Sequence, residues 1–542
     1  MKSQCLPFSQ IPHSTRLFTD FLSYSGRVQR FYPHSPHFAE WFEEEASHLQ
    51  YDVSRRARVA DALERQNRAF GAAPKTFENI ARFRAGAFAA VTGQQVGLFG
   101  GPVFSLYKAL TAVKLAEQAS SAGVDCVPVF WLATVDHDLA EINHVSMLGP
   151  DASLQVLSTP TRSLPDAPVG AIEFGSEIQP VVDAAAQYLG DTEPASLLRE
   201  CYRPGETFGR AFARLFAHLF AQWGVVLLDA ADSELNAIAE PIYRSAIERA
   251  AELDEALLGR GRELESSGYH QQVKVTPSST LLFALRNGAR VPVHRQTNGN
   301  TSQSNVVVGG EQISQQELLR QIASTPQEFS PNVLLRPVVQ DYLLPTIAYT
   351  GGSAEVAYFA QAEVVYAALL GRVTPIIPRF SATLLESKPR TLLDKYGVSL
   401  QDTFSGPDSL RERLAAQTLP QDLQLAFEEA GNSLQRSLVS VREALEKLDK
   451  TLLEASNNAG SKMQHQLDQL RARAARAELR QSEILGRHAH VLSQALYPGK
   501  TLQEREIGGI YFLSRHGSGL LRQLYDAMQT DCLDHQVIAL QA

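Results

Sequence analysis

The densest group of reactive side chains in this chain is Asp136-His137-Asp138, followed closely by Glu141, Asn143 and His144. Clustered carboxylates suit an ammonium group, and an imidazole that titrates near neutral pH suits proton transfer. Asp136, His137 and Asp138 are therefore the expected catalytic group, with Glu141, Asn143 and His144 as substrate contacts. The i, i+4, i+7 spacing of His137, Glu141 and His144 would also align them on one helix face. Such a face can hold a divalent metal, the chemistry of a hydrolase. HExxH is absent, however, and a short helix capped by Asp136 and Asp138 explains the same residues without a metal. No metal site is assigned.

These residues need a rigid edge to hold them. A strand at 127–133 empties directly into the cluster, and the strand at 88–92 ends in Gly93-Gln94-Gln95-Val96-Gly97-Leu98-Phe99-Gly100-Gly101-Pro102. An amphipathic helix follows to about Ala119, carrying Ser105 and Lys108. Glycines let backbone approach a ligand, and a helix N-terminus favours anions. The loop is neither GxGxxG nor Walker A, so NAD is not supported. Gly499-Lys500-Thr501 is no phosphate loop either, since position 494 is Gln and no strand precedes it. A second glycine turn closes the strand at 346–350, giving Tyr349, Gly351, Gly352 and Glu355. A third loop, Phe380 to Lys388, follows the strand at 374–378 and brings a lysine suited to phosphate.

With a further strand at 225–229, these segments alternate with helical patterns, which predicts a parallel sheet with helices on both faces. The rhythm breaks near 145–205 and 255–335, read as insertions walling the ligand site. The second contains Thr280 to Arg286, Asn287-Gly288, and Ala289 to His294, a hairpin with a type I′ turn. After about Asp402 the β signal vanishes. Leu434, Leu438, Val441, Leu445, Leu448 and Leu452 form a heptad seam, and Met463, Leu467, Leu470 and Ala474 resume it beyond a break at Ser456–Gly460. Two long antiparallel helices are expected there.

Composition sets outer limits. A chain of 542 residues needs two or more domains, and 44% hydrophobic with 20% charged residues describes a globular protein. The net charge of −9, with no block of five Lys and Arg, argues against nucleic acid. The four cysteines form no CxxC pair, so neither a thiolate zinc site nor a disulfide framework is expected, and the compartment is read as reducing. No run approaches the ~20 apolar residues of a membrane helix. The N-terminus lacks an uninterrupted apolar h-region, and a cytoplasmic location is expected.

Taken together, Thr92 to Pro102, Val129 to Asp138 with Glu141-Ile142-Asn143-His144, and Arg336-Pro337-Val338-Val339-Gln340-Asp341 through Gly351-Gly352 resemble the bacillithiol-biosynthesis cysteine-adding family, BshC. One departure is visible: Val135 stands where that pattern would place an acidic residue. The resemblance implies an α/β Rossmann-like parallel-sheet core with connecting insertions, plus a C-terminal antiparallel α-helical coiled-coil domain that makes a homodimer. It implies a carbon–nitrogen ligase that joins L-cysteine to glucosaminyl-malate in the last step of bacillithiol synthesis. ATP (or ADP, with Mg accompanying the nucleotide) would serve carboxyl activation. Gly97, Gly100, Gly101, Ser105, Lys108 and Lys388 would then face the nucleotide. Gln94, Gln95, Trp131, Glu141, Asn143, His144, Tyr349, Gly351, Gly352 and Glu355 would face the substrates.

The chain divides on this reading into a helical segment at 1–87 that packs on the core and a core at 88–400. A coiled-coil arm at 401–498 and a segment at 499–542 that returns to the core complete it. A nucleotide-binding scaffold without catalysis, and the metal-dependent hydrolase of His137, Glu141 and His144, are the alternatives.

Overall fold

A computed structural model describes residues 2–161, 163–296, 305–417, 421–481 and 483–540. The chain forms two compact units. The first comprises Met1–Met147, Gln155–Ala382 and Glu504–Val537; the second comprises Leu148–Leu154, Thr383–Gln503 and Ile538–Ala542.

The first unit is built on five strands: β1 (Phe88–Gln94), β2 (Cys126–Leu132), β3 (Val226–Asp229), β4 (Thr346–Gly351) and β5 (Ile376–Pro378). Their order is β5-β4-β1-β2-β3, and every pairing is parallel. β2 and β4 are buried at every position, as expected of a parallel sheet covered on both faces. Helices α1 (Phe104–Ser121), α2 (Phe208–Leu219) and α3 (Ser353–Leu370) connect or flank these strands. On one face Ala90, Ile347 and Ala348 form a core with Leu115 and Ala116 of α1 and with Phe38, Trp41 and Phe42. The aromatic side chains of Phe38, Trp41 and Phe42 thus pack on the sheet.

The second insertion folds as an antiparallel sheet in the order Glu311–Ser314, Asn305–Val308, Ala289–Arg295, Ser279–Arg286, Phe329–Pro331. Asn287 (φ 52°) and Gly288 (φ 79°) make the tight turn, both in the left-handed region that a type I′ turn requires. Residues 297–304 of this insertion lie outside those described.

The tail also returns to the first unit. Val103 N donates to Ile507 O (2.9 Å), Gly508 N to Ser146 O (2.8 Å) and Gly509 N to Gly101 O (3.1 Å). A Cβ at Gly509 would stand 2.6 Å from Leu106 Cδ1, so any larger residue there would force the Leu106 side chain to shift.

Three expectations are corrected. The N-terminal segment includes a strand, Lys2–Leu6, besides its helices. Cys5 and Cys532 form a disulfide across 527 residues, with Cα atoms 6.4 Å apart, a pairing that chain spacing could not disclose. In the second unit the break between the long helices Gln421–Leu448 and Leu452–Gln481 falls at Asp449–Thr451, not at 456–460. There the Asp449 carboxylate accepts from Thr451 N and Oγ1, both at 2.8 Å, closing a side-chain-built turn. Gly460 instead lies within the second helix, where a Cβ would come 3.0 Å from Leu438 Cδ1 of the first.

Candidate active site

β1 and β4 are neighbours whose onward connections run to opposite sides of the sheet. This is the switch point where a parallel sheet opens a crevice beyond its strand ends. A cavity of about 430 Å³ lies there, lined by Gln94 and Gln95 from β1 and its exit, Trp131 from β2, Tyr349 from β4, and Glu355 from the first turn of α3. Lys108, Asp136, Glu141 and Gly352 also line it, joined by Arg290, Asn332, Arg336, Tyr358, Arg379 and Arg505.

A buried ion pair crosses the switch point. Lys108 Nζ on α1 donates to Glu355 on α3 (2.7 Å), to Gly93 O (2.8 Å) and to Gln94 Oε1 (2.9 Å). An ammonium has three protons, and all three are taken. Glu355 in turn accepts from Tyr349 Oη (2.6 Å) and from Gly352 N (2.7 Å). Burial pushes the Glu355 carboxyl up, but Lys108, Tyr349 and the Gly352 amide outweigh it, holding the group below the usual carboxylate range. Burial likewise lowers the Lys108 pKa, and Glu355 opposes it. Gly351 serves this network: a Cβ there would stand 2.6 Å from Glu355 Cβ.

The acidic side of the cavity is organised by Gln95. Its Nε2 donates to Asp136 Oδ2 (2.6 Å) and Glu141 Oε2 (2.9 Å), holding two carboxylates side by side. Asp138 caps the four-residue helix Leu139–Ile142 by accepting from Glu141 N (3.1 Å). Arg290 NH1 lies 3.2 Å from His137 Nδ1. A guanidinium cannot accept, so Nδ1 is the acceptor and the neutral ring carries its proton on Nε2. Asp136 and Glu141 line the cavity, whereas His137 and Asp138 are not among its lining residues. The helix is too short to align His137, Glu141 and His144; His144 is exposed and meets Asn143 Oδ1 (3.2 Å). No group of three His, Cys, Asp or Glu suited to a metal occurs among the described residues. The metal-hydrolase arrangement is not formed.

The glycine loop does not present its backbone to a ligand. Gly97, Gly100 and Gly101 donate to Gln95 O, Gly97 O and Leu98 O, and all three glycines are buried. Gly100 (φ 89°) packs against Leu215 and Phe216 of α2. Ser105 is 1% exposed and also lies off the cavity. With the Lys108 protons also taken, this set does not form a phosphate cradle. Lys388 belongs to the second unit, as the second residue of helix Ser387–Tyr396.

What residue types alone did not single out is the arginine set. Arg379 is 8% exposed; its NH2 meets Glu504 at 2.6 Å and its NH1 donates to Phe380 O (2.8 Å). Glu504 also accepts from Ser381 Oγ and Ala382 N, both at 2.9 Å. Arg336 donates to Tyr358 Oη (2.9 Å) and Gln340 Oε1 (3.0 Å). Arg290 is anchored by Ser330 Oγ (2.9 Å) and Pro331 O (2.6 Å); burial lowers it to about 10, with Asp136 opposing. Arg336-Pro337 opens a short helix and was visible as a motif, but nothing in its spacing pointed to the cavity.

Residues 1–380 match the bacillithiol biosynthesis BshC N-terminal Rossmann-like domain, and residues 382–540 match the BshC C-terminal coiled-coil domain. The chain belongs to the BshC family. A relative from Koribacter versatilis, named "Putative cysteine ligase BshC", is 48% identical over 541 residues, covering 99% of this chain and 100% of the relative. Identically named proteins from Solibacter usitatus (36% identity, 99% and 100% covered) and Salinibacter ruber (33%, 96% and 96%) are similar over comparable spans. The BshC resemblance carried by the sequence motifs thus extends over both units, Rossmann-like sheet and helical hairpin alike. No helix among the described residues is long and apolar enough to cross a membrane.

Proposed function

We propose that this BshC chain is a ligase that joins the carboxyl group of L-cysteine to the amine of glucosaminyl-malate, the last step of bacillithiol synthesis. The observation that carries the reading is the mixed charge of the lining of the switch-point cavity. Its lining holds the carboxylates of Asp136 and Glu141, fitted to an ammonium, and the guanidinium groups of Arg290, Arg336, Arg379 and Arg505, fitted to carboxylates. Cysteine and glucosaminyl-malate are both of this mixed type. The relatives' name, "Putative cysteine ligase BshC", agrees with cysteine as one of the ligated partners.

The chain's own residues have definable tasks. Asp136 and Glu141 bind the sugar ammonium and take its proton as the free amine attacks the acyl carbon. The arginines hold the carboxylates. A free carboxylate does not condense with an amine in water, so ATP is proposed as the co-substrate that supplies an activated carboxyl. The C–N bond then forms as the bond to the phosphate-containing leaving group breaks. Because the glycine loop and Lys108 have their donors engaged, no residue is assigned to the nucleotide. A second copy of the chain is proposed to cover the helical hairpin, whose Val441 (49%), Leu448 (77%) and Leu470 (56%) are exposed. The ATP requirement favours a cytoplasmic setting, whereas the Cys5–Cys532 disulfide favours an oxidising one.

The test is incubation of the purified full-length chain with cysteine, glucosaminyl-malate and ATP, following the thiol product by mass and nucleotide turnover by phosphate release. Amide product with stoichiometric nucleotide consumption supports the reading. Nucleotide binding with neither product nor turnover would identify a scaffold instead.

A further inference from the structure

Gln94 and Gln95 are consecutive, alike in chemistry, and used in opposite ways. The Gln95 amide group spends its Nε2 protons on Asp136 and Glu141. In Gln94 it is the oxygen that is engaged, by Lys108 Nζ at 2.9 Å. An ammonium only donates, so the amide cannot turn round without placing its own NH₂ against a cation. Lys108 cannot move away, because it is 4% exposed and held by Glu355 and Gly93 O. The Gln94 NH₂ therefore faces away from Lys108, and it meets no partner among the described residues. Gln94 is half-buried and lines the cavity, as do Arg336 and Arg379, both close enough to act on the Lys108 charge.

We infer that Lys108 is a positioning residue and Gln94 a specificity-determining one. The ion pair at the switch point locks the Gln94 amide as an obligate donor that recognises a carboxylate oxygen of a dicarboxylate substrate. This rests on the ligase reading for the identity of that substrate, the malyl half of glucosaminyl-malate, but its donor logic is independent of the reaction. The assignment also gives the buried pair a functional purpose. Lys108 acts on the ligand through Gln94 rather than by touching it, and a carboxamide or ester in place of the carboxylate forfeits a charge-assisted bond.

Calorimetric titration of the full-length chain with L-malate and with glucosaminyl-malate tests this in wild type, Gln94→Glu and Gln94→Leu. Gln94→Glu keeps an oxygen for Lys108 and the shape of the side chain, and turns the forward donor into an acceptor. It is expected to weaken both ligands by roughly 30-fold or more, and Gln94→Leu by about 10-fold. Thermal melting of each variant reports whether the fold is intact. A role limited to supporting Lys108 would leave Gln94→Glu binding as tightly as wild type, and that result overturns the assignment. Malate binding that behaves as expected in a protein that forms no amide product would sink the ligase reading alone. A wild-type chain that binds neither ligand would overturn both.

Discussion

Replacing Lys108 by Met tests the strut on which the cavity is built. Met keeps most of the side chain's length and removes the ammonium, so the cavity walls lose their tie without losing much volume. Lys108 side-chain exposure is 4% and that of Glu355 is 15%, which places the pair among buried ion pairs. Removing one member of such a pair costs about 3–5 kcal/mol, because the partner charge stays behind unmatched. The variant should also show a distinctive pH dependence. In the wild type the Glu355 pKa lies below its ordinary value, so its stabilisation is present above the unfolded pKa and is lost as pH falls through the folded one. Without Lys108, burial dominates and the folded pKa rises above the unfolded one. The variant is then weakest at neutral pH, and its deficit narrows as Glu355 takes up a proton on acidification.

Chemical denaturation at neutral pH and near pH 5 measures both effects. The double variant Lys108→Met/Glu355→Gln removes both charges and keeps one amide oxygen as acceptor for Gly352 N, while the Tyr349 hydroxyl can turn to accept from the new NH₂. It should recover about 2–3 kcal/mol of the single-variant loss as a coupling energy. A single variant as stable as wild type, or a double variant as unstable as the sum of the singles, would refute the reasoning.

Two further outcomes follow from buried groups at and near the cavity. Burial holds the His535 imidazole down to about 4, with Glu504 opposing and Arg379 reinforcing. Its folded pKa lies below the unfolded one, so the stability it contributes is present above about pH 6.5 and lost as pH falls toward 4, roughly 3 kcal/mol in all. Urea unfolding midpoints should fall across that window in wild type and less steeply in His535→Gln; equal slopes would show that the imidazole is not the titrating group. Trp131 is 3% exposed and lines the cavity, yet its indole Nε1 has no partner among the described residues. Trp131→Phe removes a donor that makes no bond among these residues and should therefore leave the melting temperature nearly unchanged. A clearly lowered melting temperature would show that the indole N–H contributes to the fold.

Local pattern was enough to find most of the scaffold. The strands at 88–92, 127–133, 225–229, 346–350 and 374–378 all appear in the parallel sheet, displaced by at most two residues at an end. Each is a short apolar run between helical periods, and burial on both faces demands that pattern. Asn287-Gly288 was legible for a similar reason, because few residue pairs adopt positive φ twice. The helical hairpin was found by its heptads, but its turn was misplaced. Asp449 builds that turn with a side chain, while Gly460 is needed for close packing inside a helix.

The chemistry divided along the same line. Residue type and spacing brought Gln94, Gln95, Lys108, Asp136, Glu141, Tyr349, Gly352 and Glu355 to attention, the family resemblance added Trp131, and all of them line the cavity. Which of their atoms are free was decided only in three dimensions. Lys108 resembled a phosphate ligand until all three of its protons were found engaged across the sheet. Gly97, Gly100 and Gly101 likewise have their amides turned inward. Arg336, Arg379 and Arg505 come from segments far apart in the chain, and no local period announces that they converge. A sequence records which donors and acceptors exist; hydrogen bonding spends some of them on the fold, and only the folded chain shows which remain for a substrate.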